Sequence, residues 1–267
     1  MAENKPVAAL VLGAGSARGL AHIGVIQVLL EEGIPFDFIV GSSMGAMVGA
    51  IYASGADIYL FDKMMEHMNT GFMMDVQVPR FGFVAGKRIN EFIRLLTKNK
   101  SFNELQLPVM VVATDLISGQ RIVFEEGSVA EAVRASISIP GVFMPVRKDD
   151  MVLVDGAVID RLPVEVAKAR GADLIIAVDV TFGPDRKVTI NNTMDVIMAA
   201  LDIMQKHHFD TIGSRADILI QPKVGHIASK DFERSREIVD IGRAAALEKV
   251  AEIKNKIESF STKIEND

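Results

Sequence analysis

The sequence predicts an α/β fold: three α/β/α layers with a mostly parallel central sheet covered by helices on both faces. Three observations predict it. The short β-type runs are apolar throughout rather than alternating, as strands buried on both faces are. Segments of helical periodicity separate most of these runs, the order expected of βαβ units. Hydrophobic residues make up 49% of the 267 residues, enough to bury such a sheet.

The elements follow in order. Val7 to Leu12 is an apolar strand ending at Gly13, and Leu20 to Glu32 is a helix with Ile23, Ile26, Leu29 and Leu30 on one face, ended by Gly33. Phe36 to Val40 is a second strand. The helix after it carries Gly45, Ala46, Gly49, Ala50 and Ala53, small residues that let a helix pack closely on a sheet. Pro108 to Ala113 is a buried strand, and Arg121 to Phe124 returns beside it through the Ser118-Gly119 turn. Met151 to Val154, Leu174 to Val178 and Ile218 to Ile220 are further strands. Helices fill 86–98, 128–136, 162–170, 190–213 and 232–257. The stretch from Met194 to Met204 reads as core packing or as a dimer interface. No repeat or low-complexity linker divides the chain, so a single domain over 1–267 is expected, with a polar tail from about Lys254. Residues 57–85 are rich in Met and Phe. They read either as ordinary core or as a flexible apolar cap over a site, since methionine adapts to varied acyl chains.

Composition excludes several classes. The net charge is −6 with no basic block, a poor basis for binding nucleic acid. There are no cysteines, which removes disulfides, thiolate catalysis and Cys-ligated metals and suits a reducing compartment. The first residues lack the plan of a signal peptide, and no apolar run reaches the roughly 20 residues that span a bilayer. A cytoplasmic protein is expected.

Ser43 is the centre of Gly41-Ser42-Ser43-Met44-Gly45, a G-x-S-x-G between a strand and a helix. A serine on such a turn projects its hydroxyl outward, and the dipole of the following helix favours negative charge beside it. Gly41 and Gly45 remove side chains where strand and helix crowd. The bland alternative is a glycine-rich turn with Ser43 as a helix cap. The loop Gly13-Ala14-Gly15-Ser16-Ala17-Arg18-Gly19 follows the first strand and exposes backbone N–H groups at a helix start. A dinucleotide loop would need G-x-G-x-x-G, but here the sixth position is Arg18 and glycine comes one place later. The other reading is an oxyanion hole. In a parallel sheet both loops reach the carboxyl edge, which would bring Gly15, Ser16 and Ser43 together.

A serine nucleophile needs a base. His22, His67, His207, His208 and His226 have no distinguishing context, although His207, His208 or His226 could complete a triad. Asp155, in Asp155-Gly156-Ala157 after an apolar strand, could act alone. Desolvation there would raise its pKa and make it a better base.

The run Leu10 to Val25 resembles the opening of patatin-like phospholipases, especially the bacterial soluble group and the catalytic domain of neuropathy target esterase. The same family has G-x-S-x-G on the next strand–helix turn and Asp-Gly-Gly or Asp-Gly-Ala later. Ala113-Thr114-Asp115-Leu116 with Ser118-Gly119, and Arg134 to Val146, resemble family segments between them. The likeness covers roughly 7–180 in the right order. It implies a patatin-like fold and a hydrolase of lipid acyl esters that uses a Ser–Asp dyad without metal or cofactor. Ser43 falls on the nucleophile, Asp155 on the base, Gly15 and Ser16 on the oxyanion loop and Arg18 on its basic position. Arg18 would orient the loop or meet a phosphate. Ala14 and Ser16 stand where plant members have glycine. An acyltransferase using the same acyl-serine, or a weakly active regulatory member, are the alternatives. The expected partner is a lipid or other acyl ester, met by transient contact with a membrane surface.

Overall fold

The computed structural model describes residues 5–68, 82–181, 190–191, 193–212 and 215–264. Ten strands run β1 (Ala8–Leu12), β2 (Phe38–Ser42), β3 (Gly82–Val84), β4 (Val109–Asp115), β5 (Arg121–Phe124), β6 (Gly141–Phe143), β7 (Val146–Lys148), β8 (Met151–Asp155), β9 (Leu174–Val178) and β10 (Ile218–Ile220) among the described residues. The helices are α1 (Ala21–Glu31), α2 (Met44–Ala53), α3 (Ile58–His67), α4 (Lys87–Leu96), α5 (Val129–Ser136), α6 (Val164–Ala169), α7 (Thr193–Ile212), α8 (Ser235–Leu247) and α9 (Val250–Ile264). None of them is long and apolar enough to cross a membrane.

The main sheet has the order β10-β9-β1-β2-β4-β8-β7, with β5 also paired to β4. β10, β9, β1, β2 and β4 are parallel to their neighbours in that order. β5, β7 and β8 are antiparallel, so the sheet is mixed, with its parallel pairings in the majority as expected. The reason is local. A parallel return needs a crossover of a dozen or more residues. The Ser118-Gly119 turn, with Gly119 at φ 68°, and the turn at Asp149, φ 52°, can only reverse the chain. Asp115 anchors the first of these turns. Its carboxylate accepts from Ser118 Oγ at 2.6 Å and from the N–H groups of Ile117, Ser118 and Val152. These bonds, the Ser118 hydroxyl first, hold its pKa down to about 2.

Strand alternation sends apolar residues to both faces. Leu10, Leu12 and Ile39 join α1, α2, α5 and α8 in one core, while Ala9, Val11 and Val40 meet Val164 and Val166 of α6 in the other. The predicted helix over 232–257 is two helices, α8 and α9, broken after Leu247 so that Ile253 reaches the core. α3 lies within the Met-rich stretch 57–85. Its Ile58, Phe61 and Met65 are buried in the larger core, and residues 69–81 of that stretch lie outside the described residues.

α1 and α8 cross at glycines on both sides. A Cβ on Gly24 would sit 2.1 Å from Val239 O, and one on Gly242 2.1 Å from Ala21 O. Both obstacles are backbone and cannot swing away. Gly24→Ala will therefore lower the folding free energy by about 3 kcal/mol through forced separation of the helices, read as a reduced denaturant midpoint. An unchanged midpoint would refute the close crossing.

Candidate active site

The loops after β1 and β2 lie side by side at the carboxyl edge, because Leu12 pairs with Gly41 in parallel register. Ser42 pairs with Val112 on one side of β4, and Asp155 pairs with Ala113 across it. The register thus sets Ser43 and Asp155 at the same height, flanking β4. Asp155 arrives on an antiparallel strand, from the opposite direction to Ser43.

Ser43 Oγ donates to Asp155 Oδ2 at 2.6 Å. Each residue is only 4% exposed. Ser43 has φ 53° and ψ −121°, a conformation that side chains rarely adopt, and its side chain makes no cap bond to α2. The strain is held in place from below: Ser43 N–H donates to Ser136 Oγ at 2.8 Å, and that hydroxyl donates to Val112 O at 2.6 Å. Close packing completes the elbow, since a Cβ on Gly45 would lie 2.1 Å from Leu12 O. The Gly41 and Gly45 crowding expected from the sequence is present, with Gly41 facing Ala46.

Burial pushes the Asp155 carboxyl up to about 6, against the lowering effects of the Ser43 hydroxyl, the Ala157 N–H and the Arg161 charge. Asp155 Oδ1 accepts from Ala157 N at 2.9 Å. Among the described side chains no histidine hydrogen-bonds either oxygen. His22 is fully buried, and its Nε2 donates to Gly13 O at 2.7 Å. Burial lowers its pKa to about 4, so it is neutral. His226 pairs with Glu237, His67 and His207 are exposed on α3 and α7, and the His208 side chain lies outside the described residues.

In the loop from Gly13 to Gly19, the N–H groups of Gly13, Ala14, Ala17 and Arg18 are bound within the fold, to Val178, Arg161, Ser229 and Gly15 carbonyls. Those of Gly15 and Ser16 have no partner among the described residues, and both residues line the pocket before Ser43. Gly15 leaves no room for a Cβ, which would lie 2.4 Å from Val180 Cγ2. Ser16 takes φ 49° and turns the chain into a 3-10 helix, Ser16–Leu20. Arg18 is 3% exposed and so is not a surface charge. Its Nε donates to Gly15 O at 3.4 Å, and its Nη2 meets both carboxylate oxygens of Asp202 on α7, at 3.0 and 2.9 Å.

The pocket before Ser43 holds about 30 Å³. Besides the residues expected from sequence, Arg161, Leu201, Asp202 and Gln205 wall it. Arg161 is buried and joins the layers. It donates to Ala14 O at 2.7 Å, Thr181 Oγ1 at 2.8 Å and Gln205 Oε1 at 3.1 Å, with Asp179 3.7 Å away. Ser136, Arg161, Asp202 and Gln205 were missed by sequence reasoning. Their partners lie 93 residues away for Ser136 and 184 for Asp202, with no local pattern to mark them. Among the described residues no group of three His, Asp or Glu side chains is placed to hold a metal ion.

The family model for patatin-like phospholipases matches residues 10–168. The chain belongs to the patatin-like phospholipase family. An uncharacterized NTE family protein of Mycobacterium tuberculosis is 37% identical over 198 residues, 72% of this chain and 55% of that protein. Human patatin-like phospholipase domain-containing protein 6 is 34% identical over 180 residues, 64% of this chain but 13% of that protein. The chain thus spans about half the length of the mycobacterial relative and a small part of the vertebrate one. The crystal structure of VipD from Legionella pneumophila shares the patatin fold, with a TM-score of 0.69 at 15% identity, covering 93% of this chain and 67% of that one. The G-x-S-x-G turn and the Asp155-Gly156-Ala157 turn both fall inside the region matched by the family model.

Proposed function

We propose that this patatin-like protein is a serine esterase that hydrolyses lipid acyl esters, of phospholipase A or lysophospholipase type, with a Ser43–Asp155 dyad. The observation that carries the reading is the 2.6 Å hydrogen bond from a strained serine to a buried carboxylate that no described histidine side chain touches. Ser43 Oγ attacks the acyl carbon while its proton passes to Asp155 Oδ2. The carbonyl oxygen becomes an oxyanion, and the unpartnered N–H groups of Gly15 and Ser16 stabilise it by a few kcal/mol. The Ser43 N–H is committed to Ser136 and takes no part. The leaving alcohol takes the proton from Asp155, leaving acyl-Ser43. Water then attacks that ester, giving its proton to Asp155. As the fatty acid departs, the proton returns to Ser43. Arg18 braces the loop through Gly15 O.

Labelling by a fluorophosphonate, mapped by peptide mass analysis, tests the reading. Modification at Ser43 is expected. The base must be ionised, so the labelling rate falls as pH drops through about 6 and is flat above it. Labelling elsewhere, or none on folded protein, would overturn the dyad. Free fatty acid as the product from an ester panel separates hydrolysis from acyl transfer to an alcohol.

A further inference from the structure

Among its described residues, α7 turns two polar side chains inward at the site and several apolar ones outward. Asp202 and Gln205 point inward to Arg18 and Arg161, and Leu201 walls the pocket. Val196, Ile197, Ile203 and Met204 are exposed by 53, 38, 51 and 67%, and Ala200 is exposed beside them. At 100° per residue these five fall within about 120° of the helix circumference, opposite Asp202 and Gln205. A helix packed on a water-soluble protein normally presents the reverse: apolar inside, polar outside. The outward side chains of the Met194–Met204 stretch are thus not core packing, and those of Met194 and Met198 lie outside the described residues.

The same helix closes the site. Ser43 and Asp155 are 4% exposed, and the pocket before them is small, about 30 Å³. No acyl ester fits there until the wall of Leu201, Asp202 and Gln205 moves. An ion pair and a hydrogen bond tie that wall to Arg18 and Arg161. Arg18 is 4% exposed in its side chain and Asp202 17%, and the desolvation cost of such a buried pair offsets much of its attraction, so it holds the wall by a modest net margin.

We propose that α7 is a gate that docks its apolar stripe on the surface of aggregated lipid and releases Asp202 from Arg18 and Gln205 from Arg161 as it does so. This rests on the esterase reading above. The occupant is a lipid surface because the stripe is apolar along one face of an amphipathic helix, the form that lies in a lipid interface. It is also on the helix that substrate with acyl chains must displace. The lipid surface binds the open state better than the closed one and shifts the population toward it.

Two measurements test this. The chain has no tryptophan, so Met204→Trp gives a single reporter. Its emission is expected to brighten and shift to the blue on phosphatidylcholine vesicles. Emission unmoved by vesicles would overturn the gate without any reference to activity. In the second, a small water-soluble fluorophosphonate labels Ser43 with and without the same vesicles. Vesicles are expected to accelerate labelling about ten-fold, the effect of a ten-fold rise in the open population. Ile203→Asp with Met204→Asp is expected to abolish the acceleration and leave the vesicle-free rate unchanged. Asp202→Asn is expected to raise the vesicle-free rate. Equal labelling with and without vesicles would remove the gate and leave the esterase reading standing. No labelling of Ser43 under any condition would remove the esterase reading, and the gate with it. If the double variant converts a dimer to monomers, the stripe is a surface between two copies of this chain and the lipid proposal is wrong.

Discussion

Ser43→Ala will be folded and inert, with kcat for any acyl ester lowered about 10⁵-fold or more, equivalent to about 7 kcal/mol of lost barrier reduction. The size follows from the absence of a substitute. Ser42 is buried one residue earlier on β2, and Ser136 is tied between Ser43 N–H and Val112 O. The fold should tolerate the change, because the Ser43 side chain makes no cap bond to α2. What is lost is one hydrogen bond to a buried carboxylate, worth about 1–3 kcal/mol. Ser43→Gly gives a second check. Glycine adopts φ 53° freely, so it should be about 1 kcal/mol more stable than the alanine variant and equally inactive. Residual turnover above a hundredth of wild type in both variants, after exclusion of contaminating esterase, would place the nucleophile elsewhere.

Much of this site was legible because its signals are local. G-x-S-x-G fixes a sharp strand-to-helix turn within five residues, and the glycine-rich loop after β1 fixes unpartnered N–H groups within seven. The apolar runs of β1, β2, β4 and β9 read correctly as doubly buried strands. The direction of β8 did not read, because an apolar run of five residues has no intrinsic sense relative to its neighbours. The short turn at Asp149 sets it against β7, and its pairing with β4 comes from the tertiary fold. Aspartates show the same limit. Asp115 and Asp155 both end apolar strands, yet hydrogen bonds hold the first down to about 2 while burial pushes the second up to about 6. What differs is the desolvation of each carboxylate and the number of donors aimed at it. Asp115 receives a hydroxyl and three N–H groups; Asp155 receives one of each. That difference is tertiary. α7 was legible as a helix, but its orientation was not, since its polar face pairs with Arg18 and Arg161, far away in sequence.

Asp155→Asn will separate catalysis from folding. Without a proton acceptor, kcat should fall by about 10³-fold, within the range for loss of a general base. Stability should move the other way. The folded-state pKa, about 6, lies above the ordinary 3.8, so the folded state binds this proton more tightly than the unfolded chain. Stability therefore declines as pH rises from about 4 to about 6, and the penalty persists above that. Asparagine stays neutral and escapes it. A gain on the order of 2–3 kcal/mol is the upper bound at pH 7, reduced by whatever the amide loses in hydrogen bonding to Ser43 and Ala157. At pH 4 most of the gain should be gone, because the folded wild type is then protonated and the unfolded chain close to half so. The measurement is a pair of denaturant curves at pH 4 and pH 7 beside a rate profile on a soluble ester. A variant that is inactive and more stable at pH 7 alone identifies Asp155 as a base held in a desolvated position at a cost to the fold. A variant that is inactive and less stable at both pH values would instead make Asp155 a structural anchor of the Ser43 turn.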